Sequence, residues 1–230
     1  MKTKLFVGLG VTFFIVSSLS GSIIRSKHDL GNGAGGDNAE ACVYCHTPHA
    51  SNVDFTNVPL WNKPSTGTTF TMYGASAEGV PGKTIAGTET DASPSGATLA
   101  CLSCHDGVSA INSVVNAPGS GGYNLNGTLI GFNDPTYQER MGTSNVRAVG
   151  AFGDLTNDHP VSIPYVEGAA SLKPKNTQIS GWQGATTIND LLRDGKVQCV
   201  SCHDPHYPNW GTFRRTSNNG SELCKTCHDK

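Results

Sequence analysis

The chain has 230 residues, with 16 Lys and Arg against 18 Asp and Glu and a formal net charge of −2; no basic run or patch stands out, so a nucleic-acid partner has no support. Gly 28 and Pro 12 with only 7% aromatic residues argue against a large conventional core, yet that Gly and Pro share stays below the ~25–30% that marks low complexity. A single ordered domain is the expectation at this length.

Residues 1–20 carry Lys2 and Lys4, an apolar run over residues 5–16, and then Ser17, Ser18 and Ser20 before Gly21. This is the pattern of a secretory signal, cleaved near residues 20–22. The apolar run is shorter than the ~20 residues a spanning helix needs, and no later segment is continuously apolar, so no membrane span is expected. Loss of Lys2 and Lys4 leaves 14 basic against 18 acidic residues, a formal charge of −4.

Gly31 to Gly36 spells G-x-G-x-x-G. No strand precedes it and no βαβ unit follows, so it reads as a connector and not as a dinucleotide site. It tethers His28.

Cys42-Val-Tyr-Cys45-His46 comes next, and the same Cys-x-x-Cys-His spacing recurs at Cys101/Cys104/His105, Cys199/Cys202/His203 and Cys224/Cys227/His228. Two thiols three positions apart on one turn can add to the two vinyl groups of a porphyrin, and the adjoining imidazole then falls under the iron. The four sites use all 8 cysteines, which predicts four covalent haem c groups, numbered here 1 to 4 in chain order. A zinc module built from cysteine pairs is the competing reading. The histidine that follows every pair, together with export, weighs against it.

Between the sites, residues 69–73 read as a short strand and Trp61 as an aromatic packed on a porphyrin or in a small core. Residues 117–127 read as a loop, and residues 187–194 as a short helix with Thr187 at its N-cap, Asp190 three residues on and Gly195 as the stop. The expected fold is a multihaem cytochrome c, mostly coil with few short α-helices and minimal β, the haem chain serving as core, over a single domain of residues 21–230.

The 8 histidines match the eight axial positions of four irons. His46, His105, His203 and His228 lie inside the motifs; His28, His49, His159 and His206 lie outside and are the distal candidates, with Met72 or Met141 as substitutes. His49 and His206 each follow a proximal ligand by three residues, a tether of at most ~11 Å. Neither can pass round its own macrocycle, so each should serve a neighbour. The expected assignment sends His49 to haem 2 and His206 to haem 4, leaving His28 and His159 for haems 1 and 3 in some order.

Ser-Lys-His-Asp-Leu at residues 26–30, Cys-Val-Tyr-Cys-His-Thr-Pro-His at 42–49, Pro-Leu-Trp-Asn at 59–62, Asp-His-Pro-Val at 158–161 and Cys-Val-Ser-Cys-His-Asp-Pro-His at 199–206 follow in this order. Over nearly the whole mature chain the sequence resembles the secreted tetrahaem cytochromes of metal-reducing bacteria, most closely the OmcE type that polymerises into extracellular nanowires. The resemblance implies stacked bis-histidine haems, a head-to-tail homopolymer with one axial histidine donated by the adjacent subunit, and electron exchange with other c-type cytochromes or extracellular acceptors. His28, beyond its glycine-rich tether, is the first candidate for that donated ligand and His159 the second. Electron transfer without an enzymatic reaction is the expected function, at the cell surface or outside the cell. A periplasmic shuttle is the alternative. A nitrite- or hydroxylamine-type multihaem reductase would need an iron with a vacant face.

Overall fold

The computed structural model describes residues 23, 24, 26–31, 40–119, 121–131, 140–142, 148, 149 and 151–229. The predicted export signal and most of the glycine-rich connector lie outside them. Three short α-helices stand among these residues: α1, Gly96–His105; α2, Cys199–Cys202; and α3, Glu222–Cys227. Each carries a Cys-x-x-Cys pair, and the first pair sits on and just after a 3-10 turn at Ala41–Tyr44. Mostly coil with few short helices is therefore what the chain adopts.

Two small antiparallel sheets complete the regular structure. β1, Ser113–Ala117, pairs with β2, Gly122–Leu129, and β3, Ile163–Pro164, pairs with β4, Lys196–Val197. The first sheet corrects the expected loop over residues 117–127. Val114 and Val115 of β1 are fully buried, and that burial anchors the hairpin although β2 is rich in turn residues. Gly127 lets the strands close: at φ +90°, a Cβ there would lie 2.1 Å from Ser113 Oγ.

The expected strand over residues 69–73 is extended but makes only a single parallel bridge, Thr71 to Asp154. Its alternation survives, because Phe70 and Met72 are both buried and pack with Leu102 of α1 and Leu155. Met72 is thus a core residue, which removes it as a substitute axial ligand.

The expected helix over residues 187–194 is one 3-10 turn, Ile188–Leu191. Asp190 does cap it, accepting the N–H groups of Thr186 at 2.9 Å and Thr187 at 2.8 Å. The helix stops early because Asp194-Gly195 forms a hairpin turn, both residues at positive φ (53° and 71°) with Arg193 and Lys196 exchanging two backbone hydrogen bonds of 3.0 Å. Such a pair is what a type I′ turn demands.

Apolar burial is divided among three small groups: the Phe70 cluster; Leu30 with Tyr44; and Tyr165 with Ile188 and Leu192. Among the described residues no helix is long and apolar enough to cross a membrane.

Candidate haem-binding sites

Each Cys-x-x-Cys-His motif folds as a single tight turn. The backbone N–H of His46 donates to the Cys42 carbonyl at 2.8 Å, and those of His203 and His228 donate to Cys199 and Cys224 at 3.0 Å. In the second motif the last turn of α1 holds Cys101, Cys104 and His105. A backbone bridge beyond the turn then fixes three of the histidines: His46 to Trp61, His203 to Arg214, and His228 to Leu172.

The segment at residues 59–63 shapes the first site. Pro59 supplies a carbonyl 2.8 Å from His46 Nδ1, and the Trp61 ring stands edge-on to His46 with centroids 5.6 Å apart. Trp61 also donates from Nε1 to Ser103 Oγ at 3.3 Å, tying the first site to α1. Asn62 is buried and bonds Val43, Asn116 and the Cys45 carbonyl. Lys63, fully buried, donates through Nζ to the carbonyls of Ile111 and Ser113.

The second and third sites are fastened by a buried polar network. Thr98 Oγ1 donates to Gln198 Oε1 and accepts the Cys199 N–H at 3.1 Å, and Ser162 Oγ reaches the same Gln198 oxygen at 3.2 Å. The thiols of Cys101 and Cys199 meet in a hydrogen bond, which with burial pushes Cys101 well above the usual thiol range. Burial likewise pushes Cys45 and Cys202 up to about 12; Cys104 lies close enough to reinforce the first shift, and Cys227 and Cys224 the second. The four thiol pairs therefore neighbour one another in chain order. Cys45, Cys101 and Cys202, held as neutral thiols, tolerate the apolar contacts a porphyrin edge would make; Cys199, on the other side of the hydrogen bond to Cys101, is shifted down by it.

Six imidazoles meet in three pairs. His46 and His206 have ring centroids 6.1 Å apart with planes 18° from parallel, His28 and His105 are 6.1 Å apart, and His159 and His228 6.5 Å. Two imidazole–metal bonds of ~2.0–2.1 Å on opposite sides of one ion put ring centres roughly 6 Å apart, so all three separations fit an iron between them. His49 and His203 belong to none of these pairs.

Four of the ring Nδ1 atoms have a backbone carbonyl beside them. Nδ1 lies by a backbone carbonyl in His28 (Pro205, 3.4 Å), His46 (Pro59, 2.8 Å), His159 (Pro160, 3.0 Å) and His203 (Thr212, 2.9 Å). A carbonyl can only accept, so the proton is on Nδ1 and Nε2 keeps its lone pair for a metal. Burial, with His105 alongside, holds His28 down at about 4, and burial also holds His159 below the usual imidazole range. Both are neutral imidazoles at neutral pH.

This geometry corrects the distal assignment. His206 faces the first motif and not the fourth. Its loop is turned back by the bond from Asp204 N–H to the Phe213 carbonyl at 2.8 Å and by the His203 to Arg214 bridge. His28 faces the second motif of its own chain, with its ring 6.1 Å from His105 and stacked on Phe213 at 4.2 Å. His159 faces the fourth motif, drawn there by Tyr165, whose hydroxyl bonds the Lys173 and Cys227 carbonyls at 2.8 and 3.4 Å. His206, as the tether limit requires, faces a motif other than the one it follows.

Sequence reading missed Phe213, Pro59 and Pro205 as positioning groups. Pro205 adjoins His206 and Pro59 opens the Pro-Leu-Trp-Asn run at residues 59–62, but nothing in the sequence marks their carbonyls as partners for His28 and His46. Phe213 carried no signal.

Among the described residues no three His, Cys, Asp or Glu side chains gather as a bare-ion site. A search of curated proteins finds no match to the chain. Residues 192–230, spanning the third and fourth motifs, match the family model described as Doubled CXXCH motif. That match supports a c-type cytochrome, a protein with covalently bound haem c that transfers electrons.

Proposed function

We propose that the chain holds four haem c groups, every iron capped on both faces by imidazole, and conducts electrons outside the cytoplasm as the subunit of an extracellular filament. The observation that carries this reading is the sorting of the histidines: three pairs at iron-bridging separation, with exposed His49 and exposed His203 outside them. When bound, each haem supplies a one-electron iron centre.

His49 is presented for a neighbour. Its carbonyl accepts from Thr47 Oγ1 and Asn116 Nδ2, both at 2.9 Å, so the backbone is held while the residue stays at the surface. In this reading His49 of one copy completes the haem-3 iron on His203 of the next, replacing His28 as the donated ligand. Cysteine pairs hold the porphyrins, carbonyls orient the imidazoles, and no residue is assigned to proton transfer or nucleophilic attack. Extracellular acceptors, such as oxidised metals, and other c-type cytochromes are the proposed partners.

Mass spectrometry should find four covalent porphyrins per chain, and electron microscopy of cell-surface material should find filaments. H49A should abolish them and leave particles in which one haem of four is high-spin. Four low-spin haems in H49A would sink the donated-ligand reading, and small particles from the unaltered protein would favour the periplasmic shuttle. Ready carbon monoxide binding to the reduced filament would reveal an open iron face and favour a reductase.

A further inference from the structure

The two Pro-His triplets that follow haem motifs differ by one residue, Thr47-Pro-His49 after the first and Asp204-Pro-His206 after the third. The difference reaches the ring of only one histidine. Thr47 spends its hydroxyl on the His49 carbonyl. Asp204 Oδ1 accepts the backbone N–H of His206 at 2.9 Å and also lies 3.3 Å from His206 Nδ1. The Nδ1 atoms of His28, His46, His159 and His203 lie by carbonyls, and that of His206 lies by a carboxylate.

A carbonyl fixes the tautomer; an anion does more. A carboxylate this close to Nδ1 favours positive charge on the imidazole and makes it a stronger electron donor through Nε2, which stabilises the higher oxidation state of the metal it binds. We infer that Asp204 is a tuning residue that sets the haem-1 iron, between His46 and His206, at a more negative potential than a carbonyl partner would give. This inference rests on the bis-histidine reading above, and on the His46–His206 pair in particular. The side chain of Asp204 is 23% exposed, so part of its charge is shielded from water. The same triplet also orients the distal ligand of the second site through the Pro205 carbonyl, so Asp204 lies where the ligand sets of two irons meet.

The test is a potentiometric titration of the loaded protein, comparing wild type with D204N and D204S. Both variants keep an acceptor for the His206 backbone N–H and remove the charge. One of the four one-electron components should move to more positive potential by about tenfold in its oxidised-to-reduced ratio, the lower end of what outer-sphere partners control, or about 59 mV. One low-spin resonance should change its g values, and D204E should restore both. Unmoved potentials with four low-spin haems would overturn the inference. A high-spin haem in both variants would overturn it too, because Asp204 would then only be holding the loop. H206A tests the reading beneath: one high-spin haem there shows that His206 is a ligand whatever Asp204 does, and four low-spin haems would remove the ligation reading itself.

Discussion

The carbonyl oxygen of Pro205 lies 3.4 Å from Nδ1 of His28, across 177 residues of chain. An N-terminal imidazole is therefore aimed at the second haem motif by a residue that follows the third. His28 is held on its other side by Phe213, stacked at 4.2 Å. The imidazole that faces the second motif is therefore held by the fold of the third.

Phe213→Ala should expose that dependence. An aromatic pair contributes ~0.5–1.5 kcal/mol beyond its buried area, and about 1 kcal/mol changes a population roughly fivefold. We expect a partial high-spin signal at one haem that grows on warming, with the other three unchanged. Low-temperature resonance and visible spectra of the purified variant would check it; Phe213→Tyr, which keeps the stack, should stay low-spin.

Met72 separates core from ligand. It is fully buried among Phe70, Leu102 and Leu155. Met72→Leu should therefore cost less than about 1.5 kcal/mol and Met72→Ala about 2–5 kcal/mol, both without changing any haem potential. A changed axial-ligand spectrum in Met72→Leu would show that the thioether binds iron after all.

Asp106 predicts the acid limb of stability. It follows His105, is fully buried, and accepts from Ser109 (N and Oγ, both 2.7 Å), Val108 N (2.9 Å), Thr66 Oγ1 (2.9 Å) and Thr68 Oγ1 (3.0 Å). Burial alone would push its carboxyl up, but these donors hold it below the usual carboxylate range. A folded-state value below the unfolded one means stabilisation that is complete above the unfolded value of ~3.9 and lost as pH falls through the folded one. Asp190, held down at about 2 by the Thr186 and Thr187 bonds, acts in the same sense. Asp106→Asn should cost about 2 kcal/mol at pH 7 and flatten the loss of stability below pH ~4, measured by denaturant unfolding of the loaded protein.

How much could be read in advance divides along one line. Local spacing was legible: the four motifs, the scarcity of regular structure, and the turning of His206 away from the motif it follows. Which imidazoles meet was not, because that is set by contacts such as Phe213 on His28 that leave no pattern in composition or period. Asp194-Gly195 was misread for a different reason. A glycine after a helical stretch and an Asp-Gly hairpin turn share one signature, and the three apolar residues Ile188, Leu191 and Leu192 fit either. Only the pairing of Arg193 with Lys196 decides between them.

That turn gives its own prediction. Gly195→Ala puts a Cβ at φ 71°, where the left-handed region costs an ordinary residue roughly 1–2 kcal/mol. The Cβ would meet nothing within 4 Å, so the whole cost should be conformational. Asp194→Asn, equally suited to a type I′ turn, should change stability by less than about 0.5 kcal/mol. If both variants were neutral by thermal unfolding, the turn would not be the one described.

Arg215 fastens the third site to the segment that precedes the 3-10 turn. It is 5% exposed, and its guanidinium donates to the carbonyls of Gln183, Val200 and Gly184 at 3.0, 3.1 and 3.2 Å. Its own N–H reaches the Cys202 carbonyl at 2.9 Å. Burial lowers its tendency to hold a proton, with Asp204 and Asp190 acting the other way; guanidinium stays charged throughout the working range, and three carbonyl dipoles are its hydrogen-bond partners. Lysine carries the same charge but cannot reach three divergent carbonyls from one nitrogen. Arg215→Lys should therefore cost about 2–3 kcal/mol, because at least one buried acceptor loses its partner, and Arg215→Met should cost more because all three do. Hydrogen exchange supplies the discriminating measurement: in Arg215→Lys, amides over residues 181–184 and 199–203 should lose protection together, while those of β1 and β2 keep theirs.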